Sequence, residues 1–245
     1  MSDAHVRVSR CFLLFFFVFG VSQVVYFFTA SEVNDVVNLI VNIIYVSAFA
    51  VLVKKEGLGL QEYGLYWPKN YEKHIFTAVL LAFVYFFVTV FLAGILIGFQ
   101  ASPPTPSSSV PLEIIVTLLV AFAGESIFRG YIQGSLAGAY GFPLALSLSS
   151  LMFSLHRFPL PLIGSFRLIS GIDTALSLFL MATFLGFFFE RTMNLVGPVT
   201  FHAVVLLLSQ IMPLAAVRTE YVLLFDVIAY IFLVILLNVV VVKET

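Results

Sequence analysis

The chain is dominated by long apolar runs, separated by short segments rich in charged, proline and glycine residues. The first run, residues 11–30, follows Arg7 and Arg10, and its length of about 20 residues is what a helix needs to cross the hydrocarbon layer. It is longer than the apolar core of a signal peptide, which has about 7–15 residues. We therefore predict a first transmembrane helix that is retained.

Further helices follow from the same pattern and from the helix breakers between the runs. Lysines and a glycine end the second run after residue 53, and a segment rich in Pro and Ser, residues 100–111, separates the third run from the fourth. The predicted helices after the first cover residues 33–53, 75–99, 112–139, 143–156, 173–190, 196–212 and 221–242. We expect an all-α polytopic membrane protein, a bundle of about eight transmembrane helices in a single domain, residues 1–245.

Composition supports this prediction and excludes several other classes. Of the 245 residues, 61% are hydrophobic and 10% are charged, whereas a soluble domain carries about 25% charged residues. The formal net charge of -1 gives no indication of nucleic-acid binding. Cys11 is the only cysteine, so the chain forms no internal disulfide and no cysteine metal site. Membrane lipids are the expected surroundings.

The distribution of Lys and Arg predicts the orientation in the membrane, because cytoplasmic loops carry an excess of both residues. With the N-terminus inside, the inner segments contain Arg7, Arg10, Lys54, Lys55, Lys69, Lys73, Arg191 and Lys243, and the outer segments contain Arg157, Arg167 and Arg218. Both termini of this multi-pass protein are therefore predicted to be cytoplasmic.

Four ionisable residues lie within predicted helices, where burying them in lipid is costly. They are Glu125, Arg129, His156 and His202, and intramembrane residues of this kind mark functional sites unless pairing explains them. Glu125 and Arg129 are four apart and can form an ion pair on one helix face. A Glu and two His can bind a divalent metal such as zinc, or activate a water without one. A purely structural ion pair and interhelical histidine hydrogen bonds are the alternatives.

A second polar pattern lies on the predicted second helix. Asn34, Asn38 and Asn42 are spaced four apart and form a stripe along one face. Interhelical hydrogen bonding is the expected role of this stripe, and lining a solute path is the alternative.

Three sequence blocks contain the ionisable residues. They are Gly124–Tyr131 (GESIFRGY), Ser149–His156 (SSLMFSLH), and the segment from Leu185 through Asn194 to Pro198 and His202. In this order the blocks resemble the CAAX-protease and bacteriocin-processing family of intramembrane proteases. They correspond to the family's Glu-Glu-x-x-x-Arg-Gly, Phe-x-x-x-His and Pro-x-x-x-His patterns and define a motif-bearing core, residues 112–208.

The resemblance implies an endopeptidase that cleaves membrane-associated peptides or proteins. It implies catalytic roles for Glu125 and His156 in activating water, for His202 at the oxyanion, and for Arg129 as the motif arginine. Glu125, His156 and His202 are also the candidate ligands of one divalent metal.

Two motif positions depart from the family pattern. Gly124 replaces the first Glu and Leu206 replaces an Asn one turn after His202. Losing an oxyanion donor costs about 10²–10³ in rate. A catalytically degenerate member of the fold, acting as a membrane binding or immunity protein, is therefore an alternative to the active protease. A transporter is the second alternative, although the chain shows no inverted repeat.

Overall fold

The computed structural model describes residues 3–29, 35–96, 110–157, 168–211 and 219–240, and these residues fold into eight helices and a short 3₁₀ turn. The helices are α1 (Asp3–Thr29), α2 (Asp35–Glu56), α3 (Tyr71–Leu96), α4 (Val110–Tyr140), α5 (Phe142–His156), α6 (Leu168–Thr192), α7 (Val196–Ile211) and α8 (Thr219–Val240). The predicted all-α bundle is confirmed. Asn34, Arg167 and Arg218 lie outside the described residues, as does the terminal Lys243.

Six of these helices are long and apolar enough to cross a membrane, whereas α5 and α7 are shorter. With 15 and 16 residues they extend only about 22–24 Å, less than the hydrocarbon thickness of about 30 Å. The eight predicted helices are therefore six long spans and two shorter helices. Gly141, at φ 80°, ends α4 and allows Pro143 to open α5 at once.

Apolar side chains cover the outside of the bundle as well as its core. Phe28, Phe76 and Val239 are 79%, 70% and 74% exposed. Apolar surface of this extent would aggregate in water and is stable only against lipid. The fully buried side chains include Phe128, Phe153, Phe184, Phe188 and Phe201, so aromatic packing fills the centre.

Helix α4 lies at the centre of the arrangement. It packs against α2 and α7, its last turns pack against α1 and α5, and α3 closes the bundle against α7 and α8. Residues Ser126–Gln133 of α4 form a π-helical segment in which every residue is buried. Such wider turns concentrate at functional sites, and this one begins immediately after Glu125.

The segment between α2 and α3 folds back onto the wide turn of α4. It contains the 3₁₀ turn Leu60–Tyr63, and the carbonyl of Tyr63 lies so close to Gly130 that a Cβ there would be 2.8 Å away. Gly64, at φ 72°, ends that turn, and its carbonyl accepts a hydrogen bond of 2.9 Å from the Leu195 amide. The glycines therefore fix this connection against α4 and the start of α7.

Candidate active site

Glu125 is the centre of the polar cluster within the bundle. Its side chain is fully buried, and Oε1 lies 2.8 Å from Nδ1 of His202, while Oε2 lies 3.2 Å from Nε of Arg129. The structure thus brings together three of the four residues that the sequence singled out. The predicted ion pair between Glu125 and Arg129 is formed, and Glu125 has a second partner on α7.

Arg129 is also completely buried and is held from several sides. Its guanidinium carbon lies 5.0 Å from the centre of the Phe153 ring, and Nη1 lies 3.5 Å from Oγ of Ser149. A cation over an aromatic face is stabilised where water is excluded. Gln133, one turn further along α4, donates a 2.9 Å hydrogen bond to the carbonyl of Gly186 on α6. This bond ties the wide turn of α4 to its neighbour.

His156 packs against the rings of Phe128 and Phe153 at the end of α5. Its Nδ1 lies 2.7 Å from the Phe153 carbonyl, so Nδ1 carries the proton and Nε2 is the free acceptor when the ring is neutral. Ring centres are 4.8 Å apart for His156 and Phe128, 5.4 Å for His156 and Phe153, and 5.9 Å for Phe153 and His202. The carboxylate therefore pairs with His202, not with His156.

This geometry bears on the candidate metal ligands. Among the described residues, no group of three or more His, Cys, Asp and Glu side chains is arranged to hold a metal ion. Glu125 and His202 contact each other directly and His156 bonds to the Phe153 carbonyl, so the three side chains are not arranged around one ion in this structure. The observed contacts support proton transfer and hydrogen bonding.

Gly124 faces this cluster. A Cβ built at Gly124 would lie 3.6 Å from Cε2 of Phe153 and 3.8 Å from Cε1 of His202, which is ordinary van der Waals contact. A longer side chain at this position would therefore point toward His202. Leu206 lies one turn after His202 on α7, on the same helix face.

An apolar cavity of about 360 Å³ opens one helical turn from the pair. Phe122 and Val199, which line it, precede Glu125 and His202 by three residues on α4 and α7 and share a helix face with them. The complete lining is Gly64, Leu65, Tyr66, Trp67, Ile75, Phe122, Leu195, Val196, Val199 and Thr200. An apolar segment can therefore approach the buried pair.

Comparison with known proteins agrees with this arrangement. Residues 106–208 match the family model described as type II CAAX prenyl endopeptidase Rce1-like. This segment, which is less than half of the chain, is similar to the CAAX-protease family. No curated protein matches the chain. The matched segment covers α4, α5, α6 and almost all of α7, which carry every residue of the cluster, and leaves α1, α2, α3 and α8 outside.

Two residues of this site were not predicted from the sequence. Phe153 stands in a motif block with no role of its own, yet its ring contacts both imidazoles and Arg129. Gln133 donates to the Gly186 carbonyl on α6, and this contact depends on tertiary packing. The sequence could have pointed to Gln133, because a Gln among small residues in a buried helix needs a hydrogen-bond partner in another helix.

Proposed function

We propose that this CAAX-protease-like protein is an intramembrane endopeptidase in which Glu125 and His202 activate the hydrolytic water. The observation that carries the proposal is the 2.8 Å contact between Glu125 Oε1 and His202 Nδ1 in a site where both side chains are buried. A carboxylate that holds Nδ1–H of an imidazole leaves Nε2 free to accept a proton and stabilises the imidazolium that forms.

His202 is the better base of the two histidines. When Nδ1 donates, Nε2 of either neutral ring is an acceptor, but His156 donates from Nδ1 to the Phe153 carbonyl, whereas His202 has a carboxylate there. Taking up a proton creates a positive charge, and in a water-poor environment an uncompensated charge is strongly disfavoured. His156 is therefore assigned to hold the water as a hydrogen-bond acceptor. This assignment differs from the family expectation, in which Glu125 and His156 form the pair.

The reaction consumes only water and the peptide. The water oxygen bonds to the carbonyl carbon of the scissile peptide while one of its protons passes to Nε2 of His202. The C–N bond then breaks, the leaving nitrogen takes that proton, and a carboxylic acid and an amine are released. Membrane-associated peptides or proteins are the proposed substrates, with an apolar portion in the 360 Å³ cavity.

A second candidate function rests on Gly124 and Leu206. With no carboxylate at 124 and no amide at 206, the site lacks two groups of the family pattern. The same fold would then bind a membrane segment or a partner without cleaving it. The two functions differ in one observable, which is whether the native protein produces peptide fragments.

The test is an assay of purified protein in lipid vesicles against a library of membrane-anchored peptides, with products identified by mass spectrometry. We expect the native protein to release fragments, and His202→Gln to lower the rate by about 10²–10⁴-fold. His5→Gln, at an exposed position of α1, is the matched control and should cleave normally. Absence of cleavage by the native protein, with cleavage by Gly124→Glu/Leu206→Asn, would favour the non-catalytic function.

A further inference from the structure

A second, smaller cavity lies where α1, α2 and α5 meet, and its lining is polar although it lies within the bundle. Its volume is about 40 Å³, which is room for a few water molecules. We call it the polar cavity. Its polar lining residues are Ser22 and Tyr26 from α1, Asn38, Asn42 and Tyr45 from α2, and His156 with the adjoining Arg157.

The polar side chains of this cavity do not simply join helices. The Nδ2 of Asn42 donates a 2.8 Å hydrogen bond to the Asn38 carbonyl of its own helix, and Asn42 is only 4% exposed. Tyr45 OH, in contrast, lies 2.7 Å from Ser22 Oγ and donates to the Val18 carbonyl at 2.9 Å. At this level of the bundle Tyr45 joins α2 to α1, whereas Asn42 bonds within its own helix and lines the cavity.

Polar groups that surround a space of this size inside a membrane are stabilised when water occupies it. A buried water needs about two to four polar partners, and the hydroxyls, amides and imidazole of the lining supply that number. An asparagine side chain in contact with lipid would be costly. The residues that line the polar cavity are therefore suited to bind water.

His156 connects this cavity to the active site. It is the one lining residue that belongs to the active-site cluster, and its ring packs against Phe153, which in turn packs against His202. We propose that the polar cavity is the entry chamber for the hydrolytic water, with Asn42 as its positioning residue. The inference rests on the proposed endopeptidase function and extends it to α1 and α2, which lie outside the segment matched by the family.

Hydration of the cavity can be tested without any peptidase assay. In a Cys11→Ala background, which removes the only cysteine, Asn42→Cys and Ile43→Cys are each exposed in membrane vesicles to hydrogen peroxide, an oxidant of thiolates that is close to water in size. These positions are adjacent in depth, but Ile43 is 50% exposed on the outside of the bundle. Thiolates form in water and not in lipid, so Asn42→Cys should react and Ile43→Cys should not. Equal reactivity, or no reaction at Asn42→Cys in protein that is fully oxidised after denaturation, would overturn the proposal.

The catalytic consequence is measured as a split between kcat and KM. Asn42→Leu should lower kcat by about 10–100-fold, the range for residues that orient a reacting group through others, with KM unchanged. Asn42→Ser, which keeps a polar group, should recover most of kcat. Asn238→Leu is the matched control, because Asn238 donates the same 2.8 Å bond to the carbonyl four residues earlier but lies on α8.

The two possible failures are distinguishable. If the native protein cleaves peptides and Asn42→Leu cleaves equally well, the entry chamber is refuted and the proposed function stands. If Asn42→Cys is oxidised but no peptide is cleaved by the native protein, the cavity is hydrated and the endopeptidase function fails, together with the hydrolytic role of the water in the cavity.

Discussion

Two glutamates with enclosed side chains, Glu56 and Glu125, show how differently this bundle treats a carboxylate. The side chain of Glu56 is 2% exposed and accepts hydrogen bonds from Tyr131 at 2.7 Å, from Tyr63 at 2.9 Å and from Arg10 at 3.3 Å. Arg7 adds an ion pair at 3.7 Å. Burial, reinforced by the hydrogen bond to Glu56, raises the pKa of Tyr63, so its hydroxyl remains a donor. Both oxygens of Glu56 are satisfied.

Glu125 has fewer partners for the same charge. Oε1 is bonded to His202, but among the described residues neither Oε2 nor Nε and Nη2 of Arg129 has a partner in hydrogen-bond geometry, although the ion pair spans only 3.2 Å. Leaving a buried polar atom unsatisfied costs about 1–3 kcal/mol. Unsatisfied buried atoms of this kind are expected where the groups have a function, and the proposed water activation is such a function.

The number of atoms that have hydrogen-bond partners distinguishes a structural role from a functional one. Glu56 joins α1, α2, α4 and the 3₁₀ turn, and its removal should weaken the fold. Glu125 belongs to a cluster with free hydrogen-bonding capacity, and its neutral isostere should weaken chemistry. Substitutions at the two glutamates and around them test this division.

The largest effect on folding is expected at Arg129. Arg129→Ala removes the arginine paired with the buried Glu125, and breaking a buried pair costs about 3–5 kcal/mol. Thermal unfolding in detergent micelles, together with folded yield, measures this loss. Lys73→Ala, at an exposed position of α3, is the control. Equal stability of the two variants would show that Arg129 does not neutralise the buried charge of Glu125.

Restoring the two departures from the family pattern should raise activity. A Glu at 124 would point toward His202, as the Cβ direction indicates, and an Asn at 206 would supply an amide donor. One oxyanion donor is worth about 10²–10³ in rate, so we expect Gly124→Glu/Leu206→Asn to increase kcat by about that factor. The single variants separate the two contributions. An unchanged or lower kcat in correctly folded protein would contradict the match of these positions to the motif.

Glu56→Gln should destabilise the protein by about 1.5–3 kcal/mol, because hydrogen bonds to a charged group are replaced by bonds to a neutral amide. Chemical denaturation followed by tryptophan fluorescence can report the change, since Trp67 is the only tryptophan and lies shortly after the 3₁₀ turn. If this variant is as stable as the native protein, Glu56 does not have the proposed structural role.

The smallest effect is expected at the hydroxyls that bind Glu56. Tyr131→Phe removes one donor and keeps the ring stacked on Tyr63, whose centre is 5.7 Å away, so the loss should be about 1 kcal/mol. Tyr140→Phe, at a position 49% exposed, should be neutral. A loss at Tyr131 that equals the whole effect of Glu56→Gln would mean that Tyr63 and the arginines contribute nothing.

The sequence predicted the helices and the ionisable residues buried in the bundle because both depend on local information. Apolar run length and helix breakers located the helices, and ionisable residues within apolar runs pointed to Glu125, Arg129, His156 and His202. The spacing of four also predicted the contact between Glu125 and Arg129, since it follows from helix geometry alone.

What the sequence did not predict depends on tertiary contacts. Glu125 and His202 are 77 residues apart, and no local pattern shows that the carboxylate meets His202 while His156 bonds to the Phe153 carbonyl. In the sequence, Glu56 looks like part of the polar end of the second helix. Its structural role was not predicted because its partners come from α1, α4 and the 3₁₀ turn. The π-helical turn of α4 likewise has no signature in hydrophobic periodicity.

The most direct test of the division between the two glutamates compares kcat for Glu125→Gln and Glu56→Gln with that of the native protein, in the same lipid vesicles and with the same cleaved peptide. Both substitutions keep the size of the side chain and remove its charge. We expect Glu125→Gln to lose about 10²–10⁴-fold in kcat and Glu56→Gln, once folded, to retain activity close to native. Native-like cleavage by folded Glu125→Gln protein would contradict the central claim that Glu125 and His202 activate the water.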